Sequence, residues 1–124
     1  MTLARNSIEL GDLRLAVVDE GEGAPVLLLH GFPDSADLWR GQIPALVTAG
    51  FRAIAPDLRG FGQSDKPSKV EDYALLLILQ DVVGLMDRLE VERAHVVGHD
   101  WGAVVAWLLA TFQPERVGSL VAVS

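Results

Sequence analysis

The chain is 124 residues long and half apolar, with 17 acidic against 10 basic residues, a net charge of −7 and no cysteine. That length holds one domain at most. The apolar content excludes a disordered segment, and the missing cysteine excludes disulfides, thiolate metal sites and thiol nucleophiles. An acidic chain without a run of Lys or Arg argues against nucleic acid or an anionic membrane as partner.

The mean hydropathy of +0.30 points to strands buried on both faces of a sheet. Ser7–Leu10 and Leu13–Val18 read as strands around Gly11-Asp12, a dipeptide suited to a tight hairpin. Glu20-Gly-Glu-Gly is a turn, and Val26–Leu29 is a short apolar run suited to a central parallel strand ending at His30-Gly31. Residues 35–49 read as two helical pieces. Ser35 caps the first, the second opens at Pro44, and Gly50 closes it. Phe51–Ala55 is a further strand, followed by the turn-rich loop Leu58–Pro67.

A long helix is expected from a cap at Asp72 to about Leu89, burying Leu75, Leu79, Val82, Val83, Met86 and Leu89 at intervals of three and four. Ala94–Val97 reads as a strand, Ala103–Phe112 as a helix stopped by Pro114, and Val117–Val123 as a last strand. Neither apolar run, Ala74–Leu79 or Ala103–Phe112, approaches the roughly 20 residues of a membrane span. The amino-terminal stretch has no signal-peptide core, so a cytoplasmic location is expected. The order β-β-β-α-β-α-β-α-β with short connections specifies an α/β fold with a mostly parallel sheet of about six strands flanked by helices.

The stretch richest in chemistry is Gly98-His99-Asp100-Trp101-Gly102, between a strand and a helix. Glycines two before and two after a central residue suit a sharp turn at the strand's carboxyl end, with the helix N-terminus aimed at the central side chain. Read alone, Asp100 is a helix cap at least as readily as a reactive carboxylate.

Two further segments, each after a strand, change the balance. His30-Gly31-Phe32-Pro33, then Asp57-Leu-Arg-Gly-Phe-Gly-Gln-Ser-Asp-Lys-Pro67, then Gly98-His-Asp-Trp-Gly102 together resemble the α/β-hydrolase fold family across nearly the whole chain, and its epoxide hydrolase branch in particular. The resemblance implies Asp100 as a nucleophile that opens an epoxide through an alkyl-enzyme ester, which is then hydrolysed to a diol by a histidine-activated water. It implies the backbone N–H groups of Phe32 and Trp101 as the oxyanion hole, with His30, Gly31, Pro33, Gly98, His99 and Gly102 as structural motif positions. Haloalkane dehalogenases share His-Asp-Trp-Gly, but many carry Asn at the position of Phe32. Fluoroacetate dehalogenases share His-Gly-Phe-Pro but typically follow the nucleophile with Arg. Phe32 combined with Trp101 therefore favours the epoxide branch. The alternatives are a haloalkane dehalogenase-type hydrolase and a non-catalytic binding module of the same fold.

Other polar residues read more plainly. His30 and His99 are expected as hydrogen-bonded scaffold, His95 carries no signal, and Ser64 and Asp65 close a turn. Trp39 and Trp107 are expected in the core, and Asp34 and Asp37 complement a helix dipole. No metal-ligand spacing occurs, and neither metal nor cofactor is expected.

No histidine follows Asp100, and Tyr73 is the sole tyrosine. The resemblance places the base, its orienting acid and the lid tyrosines after the last strand here. Residues 1–124 are thus expected as the amino-terminal part of a single core domain, truncated before the lid and last strands and inactive in turnover by itself. Its expected partners are a small-molecule epoxide and either a complementary carboxy-terminal half or a second copy. Such a chain would expose an apolar sheet face and the edge strand Val117–Val123.

Overall fold

A computed structural model describes residues 3–124; Met1 and Thr2 of the expected 1–124 unit lie outside the described residues. Six strands, β1 (Asn6–Leu10), β2 (Leu13–Glu20), β3 (Ala24–Leu29), β4 (Phe51–Pro56), β5 (Ala94–His99) and β6 (Val117–Val123), form one sheet in the order β1-β2-β4-β3-β5-β6. The β1–β2 and β2–β4 pairs are antiparallel; β4–β3, β3–β5 and β5–β6 are parallel. Three α-helices, α1 (Gln42–Thr48), α2 (Leu75–Arg88) and α3 (Trp101–Phe112), make the crossovers. None is long and apolar enough to cross a membrane.

The central strands are buried on both faces, as the hydropathy implies. Leu27 and Leu29 of β3 pack with Ile54, Leu85, Met86 and Leu109 beneath α2 and α3. Val26 and Leu28 point the other way, to Trp39, Ile43 and Ala55 beneath α1. This alternation is the period-two consequence of the pleat. The parallel pairing of β3 with β4 and with β5 puts the carboxyl ends of the three strands at one edge of the sheet, where open α/β folds place their ligands.

Helix starts are where the structure departs most from expectation. α1 begins two residues before Pro44, which falls within the first turn, where its missing N–H has no helical partner to lose. Asp72 caps nothing: Val70–Tyr73 forms a separate 3₁₀ turn, Ala74 is extended, and α2 starts at Leu75 without a side-chain cap. Arg59 draws the Asp72 carbonyl into a hydrogen bond of 2.7 Å, and Tyr73 donates its hydroxyl to the Pro67 carbonyl at 2.6 Å. These tertiary contacts outweigh the local capping preference. Of the expected α2 face, Leu79, Val82 and Met86 are buried while Leu75, Val83 and Leu89 are half-buried against the same core, and Leu85 and Asp81 join the buried set. Ser35 does cap its turn, accepting from the Asp37 N–H at 3.2 Å.

Trp107 is also not in the core; it is 59% exposed. α3 is apolar around most of its circumference, but only Gly102, Val105, Ala106 and Leu109 are buried. Trp107 lies on an uncovered flank, and Phe112, Val121 and Val123 are exposed on α3 and the edge strand β6 as well.

Candidate active site

The backbone is tight between β5 and α3. Asp100 adopts φ 57° and ψ −123°, a conformation that L-residues with a Cβ rarely take. Its N–H donates to the Val123 carbonyl at 3.0 Å, and its carbonyl accepts from the Ala103 N–H at 2.9 Å. The strand end and the helix start together hold the turn. Small residues are required around it: a Cβ on Gly98 would strike the Gly102 carbonyl, and one on Gly102 would strike the carbonyls of Leu29 and His30.

Asp100 occupies the position of a helix N-cap, yet its carboxylate makes no capping bond to α3. It turns instead across the sheet edge, and Oδ2 accepts the backbone N–H of Phe32 at 3.0 Å. The Phe32 N–H, the largest of the causes, holds the carboxyl below the ordinary carboxylate range. Asp100 is thereby an anion at neutral pH, and Oδ1 makes no hydrogen bond among the described residues. The cap alternative that the sequence left open does not describe this geometry.

The loop carrying Phe32 is fixed from below. His30 is fully buried, and its Nε2 accepts from the Leu58 N–H at 2.9 Å. That leaves the ring proton on Nδ1, which donates to the Gly31 carbonyl at 2.7 Å. Burial pushes the imidazole pKa down, so His30 is neutral. Both nitrogens are engaged, in keeping with a scaffold role. Gly31 lies directly against Asp100, and Pro33 follows Phe32 through a cis peptide.

His99 differs from expectation, since its buried Nδ1 has no hydrogen-bond partner among the described residues. His95 Nδ1 lies 2.8 Å from Ser119 Oγ. Ser64 donates to the Asp57 carbonyl and accepts from the Ala16 N–H, and Asp65 accepts from the Arg14 N–H, so both close the loop as expected.

An apolar cleft of about 530 Å³ opens beside the turn, lined among others by Phe32, Phe61, Tyr73, Leu75, Ile78 and Trp101. Asp100 stands at its margin and lines the adjoining groove with Trp107 and Val123. The Phe61 ring meets Phe32 edge-on at 5.8 Å and His30 at 5.4 Å, forming one wall. Among the described residues, no group of three or more His, Asp or Glu is placed to hold a metal ion.

Two ionic clusters with buried members escaped the sequence reading. Arg59 grips Asp81 of α2 through two bonds of 2.7 and 2.8 Å. Arg5 reaches Asp57 and Asp37 from the amino-terminal segment. A signal existed for the first, because Asp81 interrupts the apolar face of α2, where an unpaired charge is not tolerated. None existed for Arg5, whose partners lie 32 and 52 residues away.

A mostly parallel sheet with a strand–turn–helix carrying a strained carboxylate beside a backbone N–H defines an α/β-hydrolase architecture. Residues 24–124 match the α/β-hydrolase fold family, and the chain belongs to it. It is 44% identical to epoxide hydrolase 3 of Siraitia grosvenorii over 95% of this chain and 37% of that protein. It is 48% identical to epoxide hydrolase A of Mycobacterium tuberculosis, over 94% of this chain and 37% of the relative. A crystal structure of an epoxide hydrolase from Vigna radiata superposes with a TM-score of 0.94 at 42% identity, covering 97% of this chain and 39% of that one. The chain thus spans under two fifths of the length of these relatives.

Proposed function

We propose that this chain supplies the nucleophilic half of an epoxide hydrolase site, with Asp100 as nucleophile and the N–H groups of Phe32 and Trp101 as oxyanion hole. The observation that carries the reading is the Asp100 carboxylate, which leaves its own helix uncapped to accept the Phe32 N–H.

Oδ1 attacks a ring carbon of the epoxide; the new C–O bond forms as the ring C–O bond breaks, and the ring oxygen takes a proton from water in the open cleft. The product is an ester whose carbonyl oxygen, the former Oδ2, still rests on the Phe32 N–H. Water then adds to the ester carbon, and the negative charge that develops on this oxygen is met by the same donors. Collapse releases a diol and restores Asp100. The second step needs a base. His30 has both nitrogens committed, and His95 lies on the sheet with Ser119. In this reading the residues of this chain carry the reaction as far as the ester. Residues 1–124 act in this reading as part of a single core domain in the cytoplasm.

The test is intact-mass analysis after incubation with excess aryl epoxide. One adduct per chain, mapped to Asp100 and absent in Asp100→Asn, is expected. No adduct, or many turnovers per chain, overturns the proposal.

The exposed flank of α3 and β6 supports a second reading, a binding module that docks a complementary chain or a second copy there. Sedimentation separates the two: a stable monodisperse homodimer without adduct formation favours the module. A dehalogenase-type reaction, read by halide release from an alkyl halide, is disfavoured by Phe32, whose side chain offers a leaving halide no N–H.

A further inference from the structure

We propose that Arg5, which lies outside the residues matched by the family, is a positioning residue for the oxyanion-hole loop. It does so by neutralising the buried Asp57, whose carboxylate ties together the two loops on either side of Phe32.

The geometry is specific. The Arg5 side chain is 3% exposed, and that of Asp57 is fully buried. Arg5 Nε and Nη2 donate to the two oxygens of Asp57 at 3.1 and 3.0 Å, and Nη1 donates to Asp37 Oδ1 at 2.8 Å and to the Leu3 carbonyl at 2.7 Å. The Leu3 N–H donates to the same Asp37 oxygen at 2.9 Å, so residues 3–5 form a strap with its own ends secured.

Each Asp57 oxygen also accepts one backbone N–H. Oδ1 takes that of Ala36 at 2.8 Å, four residues after Phe32. Oδ2 takes that of Gln63 at 2.9 Å, two residues after Phe61, whose ring abuts Phe32. A fully buried carboxylate without a counter-ion must take up a proton or turn toward water. Protonation weakens these N–H bonds, rotation breaks at least one of them, and either response loosens a loop beside Phe32. The bidentate fork is a task for Arg, since Lys presents a single point charge. The inference rests on Phe32 as the oxyanion donor, and it extends that site to a residue with no contact to Asp100.

The experiment uses the ¹⁵N-labelled chain at neutral pH, with the Phe32 amide resonance as reporter. Asp100→Asn defines the displacement expected when the charged acceptor is lost. In Arg5→Met, the Phe32 amide should move at least halfway to that position while the Val96 and Leu109 amides stay in place. Ester formation should slow about tenfold or more, with the epoxide concentration for half-maximal rate unchanged. Arg5→Lys should recover part of both effects. A Phe32 amide unmoved in a well-folded Arg5→Met chain overturns the inference. If Arg5→Met does not fold, Arg5→Gln, which also removes the counter-ion, decides by the same criterion, and a Phe32 amide at its parent position overturns the inference. A parent chain that forms no ester refutes the functional reading instead, and the amide shifts still decide the role of Arg5.

Discussion

Gly31→Ala tests the contact on which the proposed chemistry depends. A Cβ at residue 31 would lie 2.7 Å from Asp100 Oδ2 and 2.8 Å from the His99 carbonyl oxygen, with Asp100 Cβ nearer still. A comfortable carbon–oxygen approach is about 3.4 Å, so about 0.7 Å must be absorbed. The His99 carbonyl belongs to β5, held between β3 and β6, and yields little. Asp100 therefore moves. Its 3.0 Å bond from the Phe32 N–H would stretch to roughly 3.7 Å, beyond hydrogen-bonding range. Loss of one oxyanion donor costs about 10²–10³ in rate, and crowding of a packed site costs about 1–3 kcal/mol of stability. The assay is the time course of adduct formation by intact mass, with urea unfolding in parallel. Adduct formation within about threefold of the parent rate would refute the argument.

Further outcomes follow from the same geometry. Asp100→Gly should abolish ester formation yet raise stability by about 1 kcal/mol in urea unfolding, because it relieves a positive φ at a residue bearing a Cβ. Arg59→Ala leaves the buried Asp81 unpaired and should cost about 3–5 kcal/mol, whereas Arg59→Met with Asp81→Leu should recover most of that loss in the same titration. His30 has its pKa depressed by burial below the ordinary 6.5, so the unfolded chain binds the proton first. Its contribution is therefore complete above about pH 6.5 and is lost as pH falls from there toward the folded-state value. His30→Gln should flatten the decline in urea midpoint between about pH 7 and pH 5.5, and an unchanged slope would count against this assignment. The depressed Asp100 pKa keeps the proposed nucleophile ionised, so the protein-dependent rate of ester formation should not fall from about pH 8 to pH 5.

Much of the fold was legible because its signals are local. The apolar run Val26–Leu29 could be satisfied only by cover on both faces, and β3 has it. Gly50 and the Gly11 turn needed positive φ and have it. Helix starts were less legible. The cap preference of Asp72 amounts to about 1 kcal/mol, less than the combined pull of the Arg59 and Tyr73 bonds on that segment. Trp107 was misplaced because α3 is apolar almost all round, and its periodicity could not say which flank the sheet covers.

At the site, the sequence by itself determined the inventory. A carboxylate stands on a glycine-flanked strand–helix turn, and His-Gly-Phe-Pro follows an earlier strand. Whether Asp100 caps its helix or faces outward was a tertiary decision. The two outcomes differ by a rotation of one side chain, and only β3 beside β5 brings the Phe32 N–H to within 3.0 Å. The Arg5–Asp57–Asp37 cluster is tertiary for the same reason. Charge pairing at a separation of 52 residues leaves no periodic trace in a chain. It exists because folding buries the carboxylate and the nearest available cation must follow it.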